Sequence, residues 1–166
     1  IFQAEVAKPY RIPSASMEPT LHCAKPVSGC KARVADRVIA NRLVYRFQAP
    51  RRGEIVVFKA PAQVEAACGT EGTYIKRLVG LPGENVSMRN GYVFINGVRL
   101  DEPYLQQGYR DGESGEWARI PSASYFVLGD NRAMSCDSRR WGVVPRSNII
   151  GRAEVIYWPP NRVGEP

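Results

Sequence analysis

Two Asn-Gly pairs constrain the middle of this 166-residue chain more than any other feature. Asn90-Gly91 separates Val86-Ser87-Met88-Arg89 from Tyr92-Val93-Phe94-Ile95, and Asn96-Gly97 leads into Val98-Arg99-Leu100. A type I′ turn needs positive φ at both central residues, and Asn-Gly between β-type runs is the strongest short hairpin signal. The stretch therefore reads as an antiparallel meander. Other segments agree with it. Ile55-Val56-Val57-Phe58 follows the turn signal Arg51-Arg52-Gly53-Glu54 and reads as a buried strand. Residues 33–41, 73–79 and 149–158 are β-rich, and Tyr125-Phe126-Val127-Leu128 runs straight into Gly129-Asp130-Asn131. No 3.6-residue hydrophobic period extends beyond two turns. The expected fold class is mainly β: an antiparallel β-sheet core with a small inserted β lobe at about residues 86–124, all within one domain of residues 1–166. Residues 1–11 read as extended, and residues 60–73 as a loop or loose hairpin.

Composition narrows the function. The net charge is +7, from 23 Lys and Arg against 16 Asp and Glu. The arginines stand singly or in pairs among acids, with no basic helix and no aromatic ladder, so no nucleic-acid partner is expected. A solvated face or anionic lipid heads suit the surface better. The cysteines at 23, 30, 68 and 136 form no C-x-x-C, and the one histidine is His22, so no metal site and no cofactor are expected. Cys23 and Cys30 enclose a short Pro/Gly-containing loop, which makes a local disulfide and an oxidising compartment plausible. Three pairings, and the fully reduced state, remain open. No apolar run reaches the length of a membrane span. The chain nonetheless starts at Ile1-Phe2 without Met and has the look of a trimmed protein.

The stretch Arg11-Ile12-Pro13-Ser14-Ala15-Ser16-Met17-Glu18-Pro19-Thr20-Leu21 carries two serines in a proline-flanked turn. A Ser-His-Asp triad would need His22, which lies beyond Pro19 and reads as an exposed loop residue. Lysine is the remaining base. Lys8, Lys25, Lys31 and Lys59 adjoin polar stretches, whereas Lys76 lies in a β-type run beside Ile75, Leu78 and Val79. Strand alternation puts Lys76 on one face with Tyr74 and Leu78, and Arg77 on the other. Free lysine, with pKa ~10.4, is neutral only about one part in a thousand near pH 7.4, so a lysine base must be brought to ~7–8 by burial. A pocket free of carboxylates would achieve this. The Ser14-Ala15-Ser16 spacing suits a nucleophile with its own oxyanion donors: the Ser16 backbone N–H and the Ser14 hydroxyl. Ser135 is placed to orient the lysine, and Asp130, Asp137 and Arg139 to hold the stretch from Gly129 to Arg139 as a charge cluster. Each alone has a plainer reading, as a turn, a snorkelling lysine or an Asx turn.

Together, the stretches resemble the motif boxes of the type I signal peptidases, membrane-anchored Ser/Lys proteases that remove signal peptides from exported proteins. Residues 13–21 resemble the nucleophile box and residues 52–58 the strand motif after it. Residues 74–84 resemble the lysine box, and Gly129-Asp130-Asn131 with Ser135, Asp137-Ser138-Arg139 and Gly142 the last box. The resemblance implies Ser16 as nucleophile, Lys76 as general base, Ser14 with the Ser16 amide as oxyanion donors, and Ser135 as the residue orienting Lys76. It implies structural roles for Asp130, Asp137 and Arg139. The flanking Ile12, Pro13, Met17 and Ile75 are expected to face the substrate. Ala133-Met134 and Cys136 depart from the family pattern. The implied partners are signal peptides of secretory preproteins and the membrane lipid surface, and the implied location is extracytoplasmic, anchored by a segment absent from this chain. Two other readings stand beside this one: a pilin-maturation Ser/Lys peptidase, and an inactive basic lipid-binding module.

Overall fold

The computed structural model describes residues 6–166, and the first five residues of the stretch expected to be extended, Ile1-Phe2 among them, lie outside the described residues. The chain runs first through β1 (Ala7–Arg11), β2 (Arg37–Asn41), β3 (Ile55–Lys59) and β4 (Thr73–Gly80). Then come β5 (Val86–Arg89), β6 (Tyr92–Ile95), β7 (Val98–Arg99) and β8 (Gly115–Glu116). It closes with β9 (Ser124–Leu128), β10 (Val144–Pro145) and β11 (Ile149–Trp158). The larger sheet has the order β1-β2-β11-β3-β4-β9-β10, and the smaller has β7-β6-β5-β8. Every pairing within both sheets is antiparallel. The fold is thus mainly β.

β3 and β4 lie at the centre of the larger sheet, where both faces must be covered. Ile55 and Val57 point to one side and join Val38, Ala40, Met17 and Leu21. Val56 and Phe58 point to the other and pack with Val64, Leu78, Trp141 and Tyr125. Two-sided burial explains why the strand reads as an unbroken apolar run. A third cluster, of Val79, Val86, Met88, Val93, Ile120 and Phe126, joins the smaller sheet to the larger. At Gly80 a Cβ would lie 2.5 Å from Ile120 Cδ1, so the approach of the two layers there excludes any side chain. Both Asn-Gly pairs adopt the expected positive φ: Asn90 50°, Gly91 80°, Asn96 49° and Gly97 81°.

Two local expectations change. The run at residues 33–41 becomes a strand only from Arg37, because residues 33–36 turn to bring Asp36 under the His22 backbone N–H at 2.8 Å and the Arg162 guanidinium. Residues 60–73 are not a hairpin. After α1 (Val44–Phe47), a second short helix, α2 (Gln63–Cys68), forms there, ending at Gly69 with φ 71°. Its last residue is tied by a disulfide to Cys136, next to a third short helix, α3 (Ser138–Trp141). The other disulfide joins Cys23 to Cys30.

Candidate active site

β1 delivers the chain to Ile12, whose N–H donates to the Asp36 carbonyl, and Ser14 continues extended into a 3-10 turn over Ala15–Met17. Ala15 and Met17 bury their side chains in the core and pin the turn from below. The backbone bonds Glu18 N–H to Ala15 O (3.1 Å) and Leu21 N–H to Met17 O (2.9 Å) close it. An N-terminal turn leaves its first N–H groups without intrahelical partners, and that of Ser16 is among them. From the far end of the chain, Asn131 N–H donates to the Ser16 carbonyl at 3.0 Å.

Lys76 comes to this turn from β4, opposite Val56 on β3. Its ammonium donates to Ser16 Oγ at 2.8 Å and to the Ile75 carbonyl at 3.0 Å, and lies 5.3 Å from the centroid of the Tyr74 ring. Only 3% of Lys76 and 7% of Ser16 is exposed. Burial lowers the lysine pKa from 10.5 to about 8, while Asp137 and Asp130 pull it back up. The expected carboxylate-free pocket is therefore not what the fold builds. Desolvation prevails because both carboxylates are already engaged by arginines. Arg77, on the opposite face, donates to Asp130 through Nε at 2.8 Å and Nη2 at 2.6 Å. Arg139 grips Asp137 at 2.8 and 3.0 Å, and Asp137 also accepts the Gly129 N–H.

The remaining expected residues divide. The Ser14 hydroxyl is 3.3 Å from Ser16 Oγ. Pro13, Ser14 and Ile75, with Thr70, Thr73 and Tyr74, line a cleft of about 290 Å³ that opens onto Ser16 and Lys76. Ile12 (2% exposed) and Met17 (0%) do not face that cleft; the same turn that presents Ser16 directs them into the core. Ser135 does not hold the lysine in this structure. Its hydroxyl is buried without a partner, and the lysine ammonium donates instead to the Ile75 carbonyl of β4. Ser135 is nevertheless close by: a Cβ on Gly129 would lie 2.2 Å from Ser135 Oγ and 2.4 Å from the Ser16 carbonyl oxygen. His22 is half-buried instead of exposed, and its Nδ1 lies 2.6 Å from Oε2 of the buried Glu18, so its ring is engaged there. Among the described residues, no group of three or more His, Cys, Asp or Glu side chains converges to hold a metal.

A serine within hydrogen-bonding reach of a buried lysine of lowered pKa, beside an open cleft, is the arrangement of a Ser/Lys hydrolase. Residues 1–158 match the family model described as signal peptidase, peptidase S26. The chain belongs to that family. Over 163 residues it is 45% identical to signal peptidase I of Leptolyngbya laminosa, a match covering 96% of this chain and 73% of that protein. It is 36% identical to thylakoidal processing peptidase 1, chloroplastic, of Arabidopsis thaliana, over 99% of this chain but 46% of that protein, about half its length. A crystal structure of a signal peptidase I from Enterococcus faecalis V583 superposes with a TM-score of 0.52 at 32% identity, covering 63% of this chain and 97% of that one. As a member of the signal peptidases, the chain is a serine endopeptidase of the class that processes signal peptides.

Sequence reasoning missed one buried pair beside this site. Arg132 and Glu102 are both withdrawn from solvent and bonded to each other. Arg132 lies inside the last motif, but Glu102 sits in a polar stretch with nothing local to mark it.

Proposed function

We propose that Ser16 and Lys76 form the catalytic dyad with which this chain cleaves signal peptides from secretory preproteins. The observation that carries the reading is the 2.8 Å contact between Lys76 Nζ and Ser16 Oγ in a buried setting. In its neutral form the amine takes the Ser16 hydroxyl proton as Oγ attacks the scissile carbonyl carbon. The carbonyl oxygen becomes an oxyanion, facing the Ser16 N–H and the Ser14 hydroxyl. Collapse expels the new amino terminus, which leaves with the proton from the Lys76 ammonium, and Ser16 is left acylated. Lys76, neutral again, takes a proton from water as the water attacks the ester, and a second collapse frees the signal peptide and restores Ser16.

The walls of the cleft fit such a substrate. Pro13 and Ile75 supply apolar contact in a cleft of about 290 Å³ beside Ser16 and Lys76. Among the described residues no helix is long and apolar enough to cross a membrane. The relatives are longer than this chain, and the proposed setting is a catalytic portion working at an extracytoplasmic membrane surface. Mass analysis of the products of a secretory precursor tests reaction and cleavage site together. Ser16→Ala and Lys76→Ala, each folded, are expected to leave the precursor intact; processing by either variant would end the Ser/Lys reading.

A further inference from the structure

Four motifs make the catalytic centre, but a residue outside all of them reaches into its support. The stretch between β7 and β8 brings Glu102 and the Tyr109 carbonyl against Arg132 in the turn that begins at Gly129, with Tyr104 and Arg110 bonded to Glu102. Glu102 is 6% exposed, with its side chain almost fully enclosed, and accepts from three donors. These are Arg132 Nη2, Arg110 Nη1 at 3.0 Å and the Tyr104 hydroxyl at 3.2 Å. Arg132 is the largest fully buried side chain of the described residues. Its Nε donates to the Gly129 carbonyl at 3.0 Å, and its backbone N–H donates to the Tyr109 carbonyl at 2.9 Å. The residue before it, Asn131, holds the Ser16 carbonyl at 3.0 Å. Tyr104 also lies under the Arg77 guanidinium, 4.0 Å from ring centroid to Cζ, and Arg77 holds Asp130.

These contacts connect the inserted stretch to the nucleophile through two residues. We infer that Glu102 is a positioning residue for catalysis: by fixing Arg132 it sets the turn at Gly129–Arg132, and through Asn131 the position of the Ser16 backbone. The physical case rests on scarcity of partners. A buried guanidinium needs a carboxylate, and Glu102 is the carboxylate bonded to Arg132. Arg132 Nη1 is already buried without a partner, so the turn has no spare bond with which to replace Glu102. The turn cannot relax quietly either, because Gly129 is packed against both Ser135 and the Ser16 carbonyl. Movement of the turn thus moves the Ser16 N–H, the donor facing the oxyanion. A displacement on the order of 1 Å at a reacting centre costs up to 10²-fold in rate.

This inference rests on Ser16 being the nucleophile, and its test separates the two. Steady-state cleavage of a peptide spanning a signal-peptide junction is measured for Glu102→Gln, Glu102→Asp and the double variant Glu102→Gln/Arg132→Met, with melting temperature alongside. Glu102→Gln is expected to lose at least tenfold in kcat with KM within twofold. Glu102→Asp, which keeps the carboxylate, recovers most of the loss. The double variant removes both buried charges, so it regains melting temperature while kcat stays low. It also decides the matter if Glu102→Gln fails to fold. Full kcat in Glu102→Gln, or recovery of kcat together with melting temperature in the double variant, would show that the pair serves the fold alone. Either result would leave the Ser16 assignment standing as long as Ser16→Ala remains inactive.

Discussion

The most direct consequence of the site's construction is the pH at which it works. Burial sets Lys76 at about 8, and only its neutral form can take the Ser16 proton. At pH 6 that form is ~1% of the population, at pH 7.4 ~20% and at pH 8 ~50%. A lysine left at 10.5 would be neutral to only ~0.1% at pH 7.4, so burial supplies roughly two hundredfold in competent enzyme. The expected result is a rise of ~50-fold in kcat/KM between pH 6 and 8, levelling above pH 9. The assay is cleavage of a quenched fluorogenic peptide spanning a signal-peptide junction, read as kcat/KM because that quantity reports the free enzyme. Two controls locate the titrating group. His22→Gln should leave the limb in place, since its ring is bonded to Glu18. Asp137→Asn should move the limb to lower pH, since Asp137 raises the lysine, provided the variant folds. A limb centred near 10.5 would mean that the lysine is hydrated, and one centred near 6.5 and abolished by His22→Gln would point to a histidine base. Either outcome refutes the buried-lysine mechanism.

Further expectations follow from the same geometry. With its folded pKa depressed, Lys76 costs stability in full below pH 8 and progressively less up to 10.5, where the folded state binds fewer protons than the unfolded chain. Lys76→Met should therefore be inactive yet more stable at pH 7, by up to about 3 kcal/mol in denaturant unfolding, and the difference should shrink as pH rises toward 10.5. An unchanged or lower stability would show that the ammonium is not desolvated. Ser14→Ala should lower kcat by on the order of 10²-fold with little change in KM, as expected for an oxyanion donor; an equal rise in KM would assign Ser14 to ground-state binding. The disulfide between Cys68 and Cys136 spans 68 residues against 7 for Cys23–Cys30. In the chain-entropy model, replacing the first pair by serine costs about 4 kcal/mol and the second about 2 kcal/mol, and comparative denaturation reads the order.

Much of this protein was legible in its residues. The Asn-Gly turns determine the meander because few residue pairs accept positive φ twice in succession, and the observed φ values at residues 90–91 and 96–97 follow. The apolar run of β3 announced a strand covered on both faces, and with a single histidine the sequence leaves lysine as the candidate base. Strand alternation was enough to separate Lys76 from Arg77. Those are local properties, set by backbone sterics and by the period of the strand.

What the tertiary structure decided depends on who lies opposite whom. Ile12 and Met17 flank Ser16 in sequence, yet the 3-10 turn gives the cleft to Ser16 and the core to its neighbours. Ser135 is next to the Ser16 backbone without bonding Lys76, a matter of ångströms that no spacing encodes. The two disulfide pairings needed Cys68 at the end of a helix that sequence periodicity was too short to show. Glu102 is the clearest case: nothing in its own stretch marks it as buried, and the buried Arg132 it binds lies thirty residues away. Desolvation and partner geometry are properties of the packed whole. They turned a serine and a lysine sixty residues apart into a hydrogen-bonded pair 2.8 Å apart.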